Sequence, residues 1–317
     1  MNITKKNHYN PCFWTAYWNY EYYSQKLKNI EIKQKAREQK VVTLNLKSDI
    51  IIIQKTGQIF FEKNAGIADL FKDNILRFCQ RSFPQKYDNL VQYFDKEPDN
   101  AIIDFENHFT EYENLYKSEL EKTIITASIP NISVKTSLSF FLLTQLIRNH
   151  YSFNQIISLY ESQVKSKFEF FIDIHNNFSN RDQLLKLLWP FLSSKWVLYK
   201  TSSYKFPLSD NPLLIRPFHI MIALAPDLML EIDLKEKFGI EMICEYKDRI
   251  SFHKYEEFKK RTIENSSKEI IFGNEQLLLI LQKSKTYKNH LSKIENARLE
   301  KNYVNRGFGA DNNVRST

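Results

Sequence analysis

The sequence predicts an α+β fold, in which a mixed or antiparallel sheet from N-terminal and C-terminal strands packs on a mostly helical middle. Two observations support this class. Short runs rich in β-branched residues lie toward both ends of the chain. Between them, from about residue 65 to about residue 192, apolar residues recur mainly at three- and four-residue steps, the spacing of one helix face. This order favours terminal segments that share one sheet or lie close together.

The composition is that of a folded chain with a sizeable core. Of the 317 residues, 43% are hydrophobic and 14% aromatic, more than a disordered chain contains. The length fits one large α+β domain, which we assign to residues 1–302. Residues 303–317 include two glycines and three asparagines, and we expect them to form a flexible tail.

The N-terminal third is predicted to contain three strands. It begins with an aromatic segment at residues 13–23, and the lysine-rich residues 26–40 that follow are expected to be helical or exposed. The strands are predicted at residues 41–46, 49–55 and 58–61, where β-branched and aromatic residues concentrate.

The middle of the chain is predicted to be helical. The apolar run at residues 139–147 has no polar face of its own, so this helix is expected to be central and buried. Pro190 is expected to end or kink the last helix. The predicted helical segments are residues 67–79, two helices within 100–123, a long pair or one kinked helix within 135–171, and a helix that begins at 181.

The C-terminal third returns to strands and ends with two helices. Strands are predicted at residues 196–201, 204–208, 219–225, 228–232 and 240–246, a charged helix at 254–263 and an apolar helix at 274–282.

The formal net charge of +8 permits anionic partners, nucleic acid among them, without naming one. The lysines are scattered along the chain. We interpret the cluster of Lys254, Lys259, Lys260 and Arg261 first as a solvated helix face, because a binding patch requires spatial clustering.

The cysteine pattern and the N-terminus predict a cytoplasmic protein without a membrane partner. Cys12, Cys79 and Cys244 are far apart and odd in number, which is typical of a reducing compartment. The first residues lack the apolar core of a signal peptide. No segment has the roughly 20 mostly apolar residues that a spanning helix requires.

Three polar groups of residues stand where packing alone would not require them. The first is residues 7–11 (Asn-His-Tyr-Asn-Pro). The second is Gln145 with Arg148, which lie on one face of a helix because they are three residues apart. The third is residues 206–212 (Phe-Pro-Leu-Ser-Asp-Asn-Pro), after a strand that contains Trp196.

In the order of these groups the chain resembles the bacterial domain-of-unknown-function family DUF four-two-three-eight. That family opens with His-Tyr-x-Pro, carries Gln-x-x-Arg on a helix, and has a Trp strand before Phe-x-x-Ser-Asp-Asn-Pro. Residues 149–150 (Asn-His) and 12–14 (Cys-Phe-Trp) depart from its pattern. The resemblance implies no settled activity, so the chemistry is argued from residue types.

The leading hypothesis is a nucleic-acid-directed hydrolase, a toxin-like or defence-associated nuclease. His8 would be its general acid or base, because the unperturbed pKa of a histidine side chain lies near neutrality. Arg148 would clamp a phosphate, and Asp210 and Asn211 would orient His8 or the substrate. The substrate-binding residues would be Gln145, Ser209 and Trp196.

Each of these residues also has a structural interpretation. His8 would be a packed or capping histidine, and Arg148 would be buried with a carboxylate partner such as Asp210. Ser209, Asp210 and Asn211 would form a turn. Under this alternative the protein is a non-catalytic binding or regulatory module, and its polar groups form a structural network. Burial separates the two classes, since an open cleft favours the enzyme and a sealed network favours the module.

A second nuclease hypothesis rests on Asp227 with Glu245 and Lys247, which fit the loose pattern of metal-dependent nucleases. Two carboxylates would hold Mg²⁺ there and the lysine would stabilise charge on the phosphate. No cofactor is predicted outside this alternative. The sequence contains no P-loop, no dinucleotide-binding glycine motif and no HExxH motif.

Overall fold

The computed structural model describes residues 6–8, 10–63, 67–71, 76, 80–81, 84–94, 100–104, 106–148, 173, 176–202, 205–237 and 243–307. In chain order, the strands of this part are β1 (Lys6–His8), β2 (Lys40–Asn45), β3 (Ile50–Lys55), β4 (Phe61–Lys63), β5 (Ile67–Phe71), β6 (Asn100–Asp104), β7 (Ser194–Lys200), β8 (Leu208–Ser209), β9 (Leu214–Arg216), β10 (His219–Ala225), β11 (Leu228–Lys237), β12 (Glu245–Lys247) and β13 (Glu269–Ile271). The α-helices are α1 (Cys12–Thr15), α2 (Tyr20–Leu27), α3 (Tyr87–Phe94), α4 (Glu106–Thr126), α5 (Ile132–Arg148), α6 (Arg181–Leu192), α7 (Phe252–Asn265), α8 (Glu275–Lys283) and α9 (Lys285–Gly307).

An antiparallel sheet joins the two ends of the chain. Its order is β3-β2-β13-β8, so the N-terminal hairpin β2–β3 pairs with the C-terminal strand β13. The expectation that terminal strands share one sheet is thereby confirmed, and with it the α+β class.

The second large sheet is mixed, with the order β12-β7-β11-β10-β9. β12 runs parallel to β7, and the other pairs are antiparallel. One face of this sheet carries mainly apolar side chains, among them Trp196, Ile222 and Leu230, which are buried in the main core. The opposite face includes Glu231 and Tyr199, which lie under α7.

The core is organised around α5 and the N-terminal aromatic segment. Leu138, Phe141 and Leu142 of α5 are fully buried, which confirms that this helix is central. Trp14 and Trp18 are also buried, and their indole N–H groups are satisfied by the carbonyls of Leu224 and Phe206, each at 2.9 Å. A smaller second cluster lies between the β3-β2-β13-β8 sheet and helices α8 and α9.

The prediction of a helix over residues 67–79 is wrong at its start, where β5 pairs with β6 in an antiparallel ladder. A five-residue segment is too short for its apolar spacing to separate helix from strand, and here a distant partner strand decided between them. Likewise, residues 100–123 form β6 and one long helix instead of two helices. Most of residues 72–83 lie outside the described part of the chain.

Other predicted elements differ only at their limits. α6 continues through Pro190 to Leu192, the strand expected at residues 204–208 is reduced to β8, and a 3-10 turn at Thr56–Gln58 precedes β4. α9 extends beyond residue 302, where we expected a tail to begin; residues 308–317 lie outside the described part. So do residues 149–171 of the predicted helix pair and residues 240–242.

Among the described residues, neither Cys12 nor Cys244 is part of a disulfide bond; Cys79 is not one of them. None of the helices described here has both the length and the apolar character needed to cross a membrane.

We expect Leu142→Ala to lower the free energy of unfolding by about 2–5 kcal/mol, because a fully buried leucine leaves a cavity when it is truncated. Urea denaturation measures this change. The matched control is Leu185→Ala on α6, where the side chain is 44% exposed and the expected loss is below about 1 kcal/mol. Equal losses in the two variants would contradict the central position of α5.

Candidate functional site

The Ser-Asp-Asn-Pro segment lies at the end of β8, in the interior. The Asp210 carboxylate accepts backbone N–H groups of Ser267 at 3.0 Å, Lys268 at 3.2 Å and Glu269 at 3.4 Å, and also the Ser267 hydroxyl. Consecutive N–H groups that converge in this way form a nest, which stabilises an anion without a cation. Asp210 is fully buried, so its charge fixes the connection between α7 and β13.

The neighbours of Asp210 extend the same network. The Asn211 amide donates to the carbonyl of Asn265 at 2.7 Å, and the Asn265 amide donates back to the carbonyl of Asn211 at 3.1 Å. The Ser209 hydroxyl donates to the Asn211 carbonyl at 3.0 Å. Ser209 and Asn211 are both buried, so these polar groups are used to join β8 to the end of α7.

The N-terminal group reaches this network through Asn10. Its amide donates to the carbonyl of Ser209 at 2.8 Å, across 199 positions of sequence. His8 lies on β1, where it pairs with Phe61 of β4, and the two rings are 5.9 Å apart between centroids. The first and third polar groups therefore meet, but through Asn10 and not through His8.

Glu269 is a member of this region that the sequence did not single out. Its Oε2 accepts the backbone N–H of Phe60 at 2.8 Å. Burial raises the pKa of the Glu269 carboxyl, and the neighbouring charge of Asp210 raises it further. Phe60 precedes Phe61, the strand partner of His8, so Glu269 links β13 to the N-terminal segment.

The Gln145 and Arg148 pair belongs to a different contact, between α4 and α5. Arg148 forms an ion pair with Glu113, and its guanidinium lies 5.0 Å from the centre of the Phe109 ring. Gln145 is buried beside Tyr116. The structural interpretation of Arg148 was a buried arginine paired with a carboxylate such as Asp210. Arg148 is buried and paired with a carboxylate, but that carboxylate is Glu113. Among the described residues, the Asp210 carboxylate contacts neither Arg148 nor His8.

Trp196, expected to face a substrate, is fully buried. Its indole N–H donates to the Phe191 carbonyl at 2.9 Å. The Nζ of Lys135 lies 5.4 Å from the centre of its ring and donates to the Ser194 carbonyl at 2.9 Å. Burial lowers the pKa of Lys135. Its position was foreseeable, since Lys135 precedes the buried Leu138 by three residues and so shares its helix face.

The alternative magnesium set is not assembled. Asp227 accepts the Tyr23 hydroxyl at 2.7 Å and Lys200 Nζ at 2.9 Å. Glu245 of β12 lies opposite Val197 of β7. Asp227 lies further along β7, because its backbone carbonyl accepts the N–H of Thr201, four residues after Val197. Four residues of a strand span about 13 Å. Within the described ranges, no three potential ligands cluster as a metal ion would require.

Lys195 and Lys247 are the ion-pair partners of Glu245, at 3.4 Å and 3.7 Å. Glu245 therefore belongs to a surface charge group at the edge of the mixed sheet, and Lys247 is the second of its two cations.

A charged cluster on the mixed sheet was not predicted from the sequence. The Glu231 carboxylate accepts the Tyr199 hydroxyl at 2.6 Å, Lys254 Nζ at 2.6 Å and the His219 ring at 2.7 Å. Burial by itself would raise the pKa of Glu231, but these hydrogen bonds outweigh it and lower the pKa to about 2. A glutamate within the otherwise apolar strand 228–232 was the feature of the sequence that could have predicted this cluster. The four side chains are hydrogen-bonded to one another, and because Lys254 belongs to α7, the cluster joins α7 to the sheet.

The cations of the basic cluster on α7 are paired with carboxylates, and the expected solvated helix face is found only at Lys260, since the other three are partly buried. Each cation has its own carboxylate partner: Lys254 with Glu231, Lys259 with Glu256, Lys260 with Glu264 and Arg261 with Glu257. The residues of this helix thus provide no concentrated positive patch for a polyanion.

We expect Asp210→Asn to lower the free energy of unfolding by about 2–4 kcal/mol, because several charge-assisted hydrogen bonds to backbone are weakened in a buried site. The control is Asp233→Asn, since Asp233 also accepts two backbone N–H groups but lies partly in solvent. Its loss should stay below about 1 kcal/mol. Equal losses by chemical denaturation would show that burial of Asp210 does not matter.

The Glu231 cluster predicts an acid-dependent loss of stability. Because the pKa of this carboxyl is lower in the folded state, the stabilisation is complete above its unfolded pKa and is lost as pH falls toward about 2. The contribution at neutral pH is about 3 kcal/mol. Glu231→Gln should therefore unfold more easily at pH 7 and show a shallower loss toward acid pH. Glu236→Gln, an exposed change on the same strand, should retain the wild-type slope.

Comparisons of the chain with protein-family models, with curated proteins and with solved structures found no match. The resemblance to the domain-of-unknown-function family remains an expectation from the residues that carry it, and function is argued from the geometry of this chain.

Proposed function

We propose that the protein is a non-catalytic binding module, whose polar groups hold the fold together and whose partner adds a strand to the edge of β3. The proposal that the protein is non-catalytic rests on the Asp210 carboxylate, which is buried and accepts hydrogen bonds from backbone N–H groups. A catalytic carboxylate has to reach its substrate, and Asp210 has no such access.

Three other expected site residues are buried as well. Arg148 is buried and paired with Glu113, Asn211 with Asn265, and Trp196 lies in the core. An arginine that clamps phosphate needs donors directed at solvent. The burial of Arg148, Asn211 and Trp196 and their pairing within the fold favour a module over an enzyme.

The binding surface is the outer edge of β3. This strand is terminal in its sheet, and no other described strand pairs with its outer side. Ile50, Ile52 and Ile53 are 53%, 39% and 66% exposed. Unpaired backbone groups beside exposed isoleucines form a template for an added strand, which native proteins ordinarily cover or interrupt with charge.

The sequence of the edge complements itself, so the partner we assign is a second copy of the chain. In an antiparallel alignment of two copies about Ile52, Ile51 lies opposite Ile53 of the second copy. Asp49, the turn residue before β3, then lies just beyond the end of the ladder near Lys55 of the second copy, which also pairs with Glu38 of its own chain. Asp49 is held in place by the Tyr287 hydroxyl, which donates to its Oδ1 at 2.7 Å.

We expect the wild-type protein to self-associate when its concentration rises from about 1 µM to about 200 µM, since a small interface gives weak affinity. Sedimentation velocity measures this. Ile53→Lys should remain monomeric, because the new charge would lie opposite the apolar Ile51 of the second copy, and a lysine on an edge strand opposes pairing. Ile215→Lys is the matched control, with an isoleucine 49% exposed on the edge strand β9 of the other sheet, and it should associate like wild type.

A wild-type protein that stays monomeric over this range would overturn the assignment of a second copy. The non-catalytic half is tested separately, by incubating purified protein with labelled RNA and DNA, with and without Mg²⁺. We expect no cleavage. Cleavage that is lost in His8→Ala would show that the protein is a hydrolase that uses His8. Cleavage that EDTA abolishes would instead indicate a metal-dependent site at Asp227 and Glu245.

A further inference from the structure

An apolar cavity of about 350 Å³ lies where the aromatic segment, the turn between β10 and β11, and the start of α8 meet. Its volume falls in the range of small-molecule sites, about 300–1,000 Å³. The residues that line it come from four separate parts of the chain: Trp18, Tyr20, Lys205, Pro226, Gly273, Asn274 and Leu277.

The walls of the cavity offer apolar surface and open space. The Trp18 indole N–H is already bound to the Phe206 carbonyl, so its hydrogen-bonding capacity is used elsewhere. Gly273 has a φ of +66°, a conformation that favours glycine, and no atom lies within 4 Å of the position a Cβ would take. A ligand in this space would therefore contact mainly aromatic and aliphatic surface.

One charged side chain, Lys205, lines the cavity. Its Nζ lies 3.9 Å from Asp227 Oδ2, a loose contact. Asp227 is held more closely by the Tyr23 hydroxyl at 2.7 Å and by Lys200 at 2.9 Å. Two lysines thus share one carboxylate, and Lys205 is the more loosely paired of the two.

We propose that this cavity binds a small, flat, apolar ring system that carries one anionic group, a carboxylate or sulfonate. The ring packs against Trp18, Tyr20 and Leu277, and the anion pairs with Lys205. This site is separate from the edge of β3, so the proposal is independent of how the chain associates.

The test uses two fluorescent probes of similar ring size. Anilinonaphthalene sulfonate carries the anionic group, and phenylnaphthylamine lacks it. We expect saturable binding of one molecule of either probe per chain, measured by fluorescence titration. Lys205→Gln should weaken the sulfonate probe about three- to fivefold, as a partly exposed ion pair predicts, and leave the neutral probe unchanged.

Two further variants test the position of the ring. Leu277→Trp fills the cavity and should abolish binding of both probes, whereas Leu279→Trp on the same helix, outside the lining, should bind as wild type does. Tyr20 is 72% exposed, so Tyr20→Ala preserves folding even where Leu277→Trp does not. It should weaken both probes about three- to tenfold, through loss of one aromatic contact.

Equal probe binding in wild type, Leu277→Trp and Tyr20→Ala would overturn the proposal. So would binding that is lost in Ile53→Lys and kept in Tyr20→Ala, since the probe would then lie on the edge of β3. Equal weakening of both probes by Lys205→Gln would refute the role assigned to the anion.

Discussion

The structure depends on one buried anion, the carboxylate of Asp210, and on the backbone N–H groups that surround it. An unpaired charge in the interior is costly, and here three successive N–H groups and one hydroxyl offset that cost. Their position immediately before and within β13 is decisive. β13 lies between the N-terminal hairpin and β8, so the contact that orients it also joins the two ends of the chain.

The anion also affects its surroundings. The charge of Asp210, together with burial, raises the pKa of Glu269, whose carboxyl in turn accepts the N–H of Phe60. Asn10 joins the N-terminal segment to the same network, because its side-chain amide donates to the Ser209 carbonyl. Residues that resemble a catalytic group by type are thus used to hold three segments together. The ion pair of Arg148 with Glu113 and the Glu231 cluster act in the same way, each joining a helix to its neighbour.

This use of charge explains why a strongly basic chain shows little charge concentration on α7. The cations of that helix are matched by carboxylates on the helix itself or on the sheet beneath it. The surfaces that we propose for recognition are of another kind. One is an apolar strand edge, where backbone groups of β3 face outward, and the other is a cavity whose apolar walls are bordered by Lys205.

The sequence by itself determined the class of the fold, the strands at residues 219–225 and 228–232, the helices near 254–263 and 274–282, and the burial of α5. These follow from periodicity, which is a local property of the chain. Local pattern could not separate strand from helix at residues 67–71, because a distant strand, β6, made the difference. Nor could it choose partners for polar residues. Arg148 met Glu113 and Asp210 met the N–H groups of residues 267–269, because such pairing depends on which segments the whole fold brings together. Only the tertiary structure decided that polar groups typical of an active site would be sealed inside the protein.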